Sequence, residues 1–108
     1  MSKEQYWKRL ERHLTEQQER GGKIDSVVDV AVGGRRVPLD REEDKVVVRF
    51  SRGDWEVAPY GLAKSKGVPG SRHSSMAHAI AAAREGVHAA GLWAVGARYG
   101  KNAVPKEA

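Results

Sequence analysis

A stretch of cations without acids, residues 59–74 (PYGLAKSKGVPGSRHS), holds the side chains best suited to chemistry. Serines near its end are preferred residues at the start of a helix. A helix N-terminus presents free backbone N–H groups and the positive end of the helix dipole, so it binds anions readily. The pattern predicts a phosphate site built from Lys64, Lys66, Arg72, His73, Ser74 and Ser75.

The net charge of +5 favours the same region. Residues 1–59 contain 12 basic and 12 acidic side chains, whereas residues 60–108 contain 7 basic and 2 acidic ones, so the excess of 7 − 2 = +5 lies in the second half. Clustered positive charge attracts polyanions. We expect Arg98 and Lys101 to extend the patch, and Tyr60 to stack on a base or to pack in the core.

Contact with nucleic-acid phosphates, without strong sequence preference, is the function that this patch predicts. The alternative for residues 59–74 is a solvated basic loop that binds nothing. No aromatic pair has the spacing of an RNA-recognition strand, so the sequence does not indicate base readout.

Catalytic and metal-binding patterns are absent from the sequence. It has no G-x-S-x-G, P-loop or G-x-G-x-x-G motif. His78 and His88 are ten residues apart, whereas a helical ligand pair needs a spacing of four. A serine beside His73 is more typical of a helix cap than of a nucleophile with its base. We therefore expect a binding protein that is not an enzyme and has neither metal nor cofactor.

Composition indicates one ordinary globular domain. The chain has 108 residues, 40% hydrophobic and 31% charged. Because it has no cysteine, disulfides and thiolate metal sites are excluded. No apolar leader follows Met1 and no apolar run approaches the roughly 20 residues of a membrane span. We expect a single cytoplasmic domain, residues 1–108, without a membrane partner.

Residues 2–20 have the pattern of an amphipathic helix. Its aromatic and apolar residues, which group on one face, are Tyr6, Trp7, Leu10 and Leu14. That face either joins the core or anchors a protein partner, because tryptophan and tyrosine are frequent interface hot spots.

The first of two hairpins predicted within residues 24–58 turns at Gly33-Gly34. It joins strand 24–32 to strand 35–39, which we expect at an edge of the sheet because Pro38 cannot donate to a ladder. The expected register places Val30 opposite Val37 and Val28 opposite Leu39.

The second hairpin follows a charged turn at residues 40–44. Alternation predicts that Val46, Val48 and Phe50 share one face of a strand. After a turn at residues 51–54, Trp55 and Val57 return on the next strand and face the same core.

A second helix is predicted at residues 75–90, with Gly91 at its C-terminal end. A strand at residues 92–99 and a polar tail at residues 100–108 follow it. These elements give an α+β fold: a two-layer sandwich with an antiparallel or mixed sheet of about five strands. The C-terminal helix packs on that sheet, and an amphipathic helix begins the chain.

Residues 45–104 carry a run of short motifs: G-D-W-E-V (53–57), R-H-S-S (72–75), A-I-A-A-A-R (79–84) and R-Y-G-K (98–101). This run resembles a family of short prokaryotic domains of unknown function, whose pattern is G-W-x-V, R-x-S-S, A-I-x-x-A-R and D-G-x-I. The resemblance implies a small β-β-α-β unit. Here Asp54 precedes the tryptophan and Tyr99 stands where the family tends to have aspartate.

Protein binding is the alternative function. A small chain without catalytic groups suits a protein-binding module or an inhibitor, such as a phage-encoded or host regulatory factor. An edge strand or the first helix would supply the surface, and either one allows a homodimer.

Overall fold

The computed structural model describes residues 3–20, 25–32 and 44–99. These residues form three helices and five strands. The helices are α1 (Lys3–Arg20), α2 (Leu62–Ser65) and α3 (Met76–Ala89). The strands are β1 (Asp25–Val32), β2 (Lys45–Ser51), β3 (Asp54–Tyr60), β4 (Ser71–His73) and β5 (Leu92–Tyr99).

The strands form one antiparallel sheet in the order β4-β3-β2-β1-β5. Among the described strands, β1 is therefore internal, and β4 and β5 stand at the two ends of the order. Strands β2 and β3 are joined by a turn in which Arg52 and Gly53 both have positive φ, at 56° and 85°. The fold is α+β, as the sequence predicts.

Alternation along the strands sends one set of side chains into a single core on what we call the helix face of the sheet. Side chains from α1 and α3 belong to the same buried cluster, so both long helices cover this face. The strand residues of the core include Val28, Val30, Val46, Val48, Trp55, Val57, Leu92 and Ala94.

Helix α1 joins the core rather than standing apart from it. Trp7, Leu10 and Leu14 are buried, and Tyr6 packs against the same cluster while remaining partly exposed. Because the chain's own sheet and α3 already cover Trp7, Leu10 and Leu14, they are not exposed anchors for a partner. No described helix is long and apolar enough to cross a membrane.

The expected pairing of the first hairpin is wrong, because both sides of β1 are taken by other strands. Val28 lies opposite Val46 of β2 on one side and Ala97 of β5 on the other, which leaves no place for Leu39. On the β5 side Val30 faces Ala94, and its N–H donates to the carbonyl of Asp44 at 3.1 Å. The predicted strand 35–39 lies outside the described residues.

The predicted irregular loop 59–74 is also wrong, because most of it has regular structure. Strand β3 continues to Tyr60, α2 follows at once, and β4 pairs with β3 through residues 71–73. The Asp44 carboxylate accepts a hydrogen bond of 2.9 Å from the Leu62 N–H, which satisfies a free donor at the start of α2.

The C-terminal half follows its prediction closely. Helix α3 begins after Ser75 and ends before Gly91, whose φ of 75° is the left-handed conformation common after a helix. Strand β5 then occupies residues 92–99. From residue 45 onward the elements follow in the order β2, β3, α2, β4, α3, β5.

Truncation of Leu10 tests the place of α1 in the core. We expect Leu10→Ala to lower the free energy of unfolding by about 2–5 kcal/mol, the range for a buried leucine. Lys8→Ala, on the exposed side of α1, should change it by less than about 0.5 kcal/mol. Urea unfolding followed by circular dichroism measures both. Equal, small effects would mean that α1 does not belong to the core.

Candidate nucleic-acid interface

The cations predicted to form one phosphate site are divided between two shallow grooves, one on each side of residues 66–71. Lys66 and His73 line a groove of about 420 Å³ beside Glu85 and Ala89 of α3, which we call the α3 groove. Lys64 and Arg72 line a different groove of about 530 Å³. This second groove, the β3 groove, is also lined by Glu56, Ala58, Pro59 and Gly70.

The start of α3 is far from the lysines. Ser75 caps the helix by accepting a hydrogen bond of 3.2 Å from the His78 N–H. The segment after α2 packs instead on the second half of the helix, where a Cβ at Gly86 would lie only 3.0 Å from Cγ1 of Val68. Gly86 is 11 residues beyond Ser75, or about 16 Å along a helix. The structure therefore does not bring Lys64 and Lys66 to the helix start.

Alternation along β4 separates Arg72 from its neighbours. Arg72 lies opposite Glu56, on the face of the sheet turned away from α1 and α3. His73 lies opposite the core residue Trp55 and so points to the helix face. Successive side chains of a strand point to opposite faces of the sheet, so Arg72 and His73 cannot both contact a ligand that lies on one face.

Arg72 is held by oxygen atoms of the chain. Its Nη2 donates to the Ser51 carbonyl at 2.6 Å, and its Nε lies 3.7 Å from the Asp54 carboxylate. Glu56 connects it to Arg49, whose Nε donates to Glu56 Oε1 at 3.0 Å. Ion pairs at this exposure contribute about 0–1 kcal/mol, so an anionic ligand can compete for Arg72 at modest cost.

Ser71, rather than the predicted Ser74 or Ser75, contacts His73. Its Oγ lies 2.8 Å from Nε2 of the imidazole, within the α3 groove. Besides such a serine–histidine pair, acyl transfer requires a group that orients the base and donors that stabilise an oxyanion.

Metal binding requires a different set of side chains. In the ranges 3–20, 25–32 and 44–99, no group of three His, Asp or Glu is placed to hold a metal.

The two remaining predicted residues lie at or beyond the end of β5. The backbone of Arg98 lies opposite Val27 of β1, so it occupies an outward-facing register position. Lys101 lies outside the described residues.

The sheet face turned away from α1 and α3, which we call the open face, brings together residues from all five strands. Val27, Val47 and Ala58 lie side by side across β1, β2 and β3 and form its apolar centre, where Val47 is buried. Its charged side chains oppose one another across β1 to β4: Arg49 and Arg72 face Glu56 and Asp54 of β3, and Lys45 lies opposite Asp29 of β1.

Tyr60 lies on the open face at the end of β3, next to the β3 groove. It is 41% exposed, so it does not pack in the core. The Nζ of Lys45 lies 5.4 Å from the centroid of its ring, a cation–π contact. The groove itself is lined by the cations Lys64 and Arg72 and by the acid Glu56. Asp44, whose carboxylate accepts from the Leu62 N–H, lies beside Lys45 at the start of α2.

Sequence reasoning missed Lys45, to which it assigned no role. The alternation of apolar and polar residues along β2 could have indicated its direction. Lys45 precedes the core residue Val46, so its side chain must point to the opposite face of the sheet. The pairing of Lys45 with Tyr60 across β2 and β3 follows only from the hairpin register.

Comparison of the chain with protein-family models, with curated proteins and with solved structures found no match.

Proposed function

We propose that this domain is a non-enzymatic binding module that contacts single-stranded nucleic acid at the β3 groove and Tyr60. The observation that carries the proposal is an exposed tyrosine in contact with Lys45, at the end of a strand whose preceding residues line a groove with Lys64 and Arg72. Proteins that bind single strands without sequence preference combine cations along the backbone with aromatic rings on which bases stack.

The helix start is not part of this proposal, since Ser75 uses its side chain to cap α3 and the lysines lie elsewhere. Phosphates would run along the β3 groove between Lys64 and Arg72, and a base would stack on the free side of Tyr60. Because Lys45 is already positioned over that ring, it neutralises phosphate charge next to the stacked base.

Tyrosine removal tests the stacking part of the proposal. Tyr60→Ala should weaken the binding of a fluorescent single-stranded oligonucleotide about tenfold, because stacking one base contributes ~1–3 kcal/mol. Phe50→Ala is the matched control: Phe50 is 42% exposed, but it contacts Trp55 on the helix face. Fluorescence anisotropy measures both, after thermal unfolding has shown that each variant is folded. An equal weakening by both variants, or no binding by the unaltered chain, would contradict the proposal.

Two lysines only two residues apart test the phosphate part. Lys64→Glu should weaken binding and make its salt dependence shallower, by about 0.7 in the slope of log K against log salt for each phosphate that the variant no longer neutralises. Lys66→Glu makes the same change in the α3 groove and should leave that slope nearly unchanged. A larger effect from Lys66→Glu would move the site to the α3 groove and overturn the assignment.

Protein binding is the second candidate, and the sheet edge formed by β5 favours it. From Leu92 to Ala97 this edge has no charged residue and no proline. Such edges pair readily with another strand.

A further inference from the structure

We propose that the α3 groove binds a small zwitterion, an α-amino acid. The carboxylate of the ligand lies against the ammonium of Lys66, and its ammonium lies against the carboxylate of Glu85. Both side chains line this groove, whose volume of about 420 Å³ falls within the range of small-molecule sites. The inference is independent of nucleic-acid binding, because neither Lys66 nor Glu85 lines the β3 groove.

The two charged side chains of the groove have no partner within the part of the chain that the structure describes. There, neither Lys66 nor Glu85 forms an ion pair or a side-chain hydrogen bond, and the two are not paired with each other. Ser71 and His73, the other polar side chains of the groove, lie 2.8 Å apart and are hydrogen-bonded to each other. One cation and one carboxylate therefore remain for a ligand.

Opposite charges in one groove favour a ligand that carries both signs. A simple anion is attracted by Lys66 but repelled by Glu85, and a simple cation meets the reverse arrangement. An α-amino acid carries a carboxylate and an ammonium on the same carbon atom, so it complements both side chains. The flexible four-carbon stem of Lys66 lets its ammonium follow the carboxylate of the ligand.

The wall of the groove formed by residues 66–71 is held in place by backbone hydrogen bonds and by close packing. The N–H groups of Lys66 and Val68 donate to the carbonyls of Leu62 and Ala63, at 2.9 and 3.0 Å. A Cβ at Gly86 would lie 3.0 Å from Cγ1 of Val68, so this segment rests directly on α3. The groove is therefore formed before a ligand arrives, as is usual for small-molecule sites.

Most of the remaining lining is small and apolar, which leaves room for the side chain of the ligand. It includes Pro69, Ala82, Ala89 and Ala90. An aliphatic side chain that covers this surface adds to the binding, so L-leucine is a suitable probe.

Nuclear magnetic resonance titration of the full chain with L-leucine and two analogues tests the inference. Isocaproate has the same skeleton without the ammonium group, and isoamylamine has it without the carboxylate. We expect leucine to shift the amide signals of Lys66, Gly67, Glu85 and Gly86 saturably. Each analogue should bind about fivefold more weakly, because it loses one ion pair and keeps one repulsion.

Two variants assign the charges to the side chains. Glu85→Gln should remove the preference for leucine over isocaproate, whereas Glu11→Gln, at an exposed residue of α1 outside this groove, should preserve it. Lys66→Gln should remove the preference for leucine over isoamylamine, and Lys64→Gln, in the β3 groove, should not.

The comparison of the three ligands uses the unaltered chain, so it stands even if a variant fails to fold by circular dichroism. An absence of saturable shifts with about 20 mM leucine overturns the inference. So does equal binding of leucine and either analogue, or the same loss of preference in Glu85→Gln and Glu11→Gln.

Discussion

Burial of the valine rows of β1 and β2 beneath α1 and α3 is the interaction on which the rest of the structure depends. Val28, Val30, Val46 and Val48 are fully buried, and the leucines of α1 lie in the same cluster. Each such side chain contributes roughly 1.5–3 kcal/mol on burial, which offsets the conformational entropy lost on ordering the strands. Because both long helices pack on one face, neither of them covers the opposite face of the sheet.

That one-sided packing sets the chemistry of the open face. Every second residue of β2 and β3 must lie there, so Lys45, Arg49 and Glu56 are presented in rows rather than in a cluster. Most of these charges pair with one another, as Arg49 and Arg72 do through Glu56. Near Tyr60, Lys45 contacts the ring, and α2 adds Lys64 to the neighbouring groove. The same geometry moves Lys66 and His73 to the other side of residues 66–71.

Local patterns in the sequence predict the elements with strong periodicity. The stripe of α3, its serine cap, the Gly91 end and the β2–β3 hairpin depend on neighbouring residues, and all are present. Pairing between distant segments is not a local property. Strand β5 docks beside β1 and places Ala97 opposite Val28, and no residue spacing indicates this pairing. In the candidate site, too, the pairing of distant segments could not be predicted. Strand β4 has only three residues, too few for a recognisable alternation of apolar and polar side chains. Its formation turns Arg72 and His73 to opposite faces, and thus determines which cations can act together.

The most direct test of binding at the β3 groove is a nuclear magnetic resonance titration of the full chain with a short single-stranded oligonucleotide. We predict that the largest amide shifts occur along residues 56–60 and at Lys45, Lys64 and Arg72, with little change at Ser75 and the second half of α3. Shifts concentrated at the start of α3 or in the α3 groove, or no shifts at all, would contradict this site.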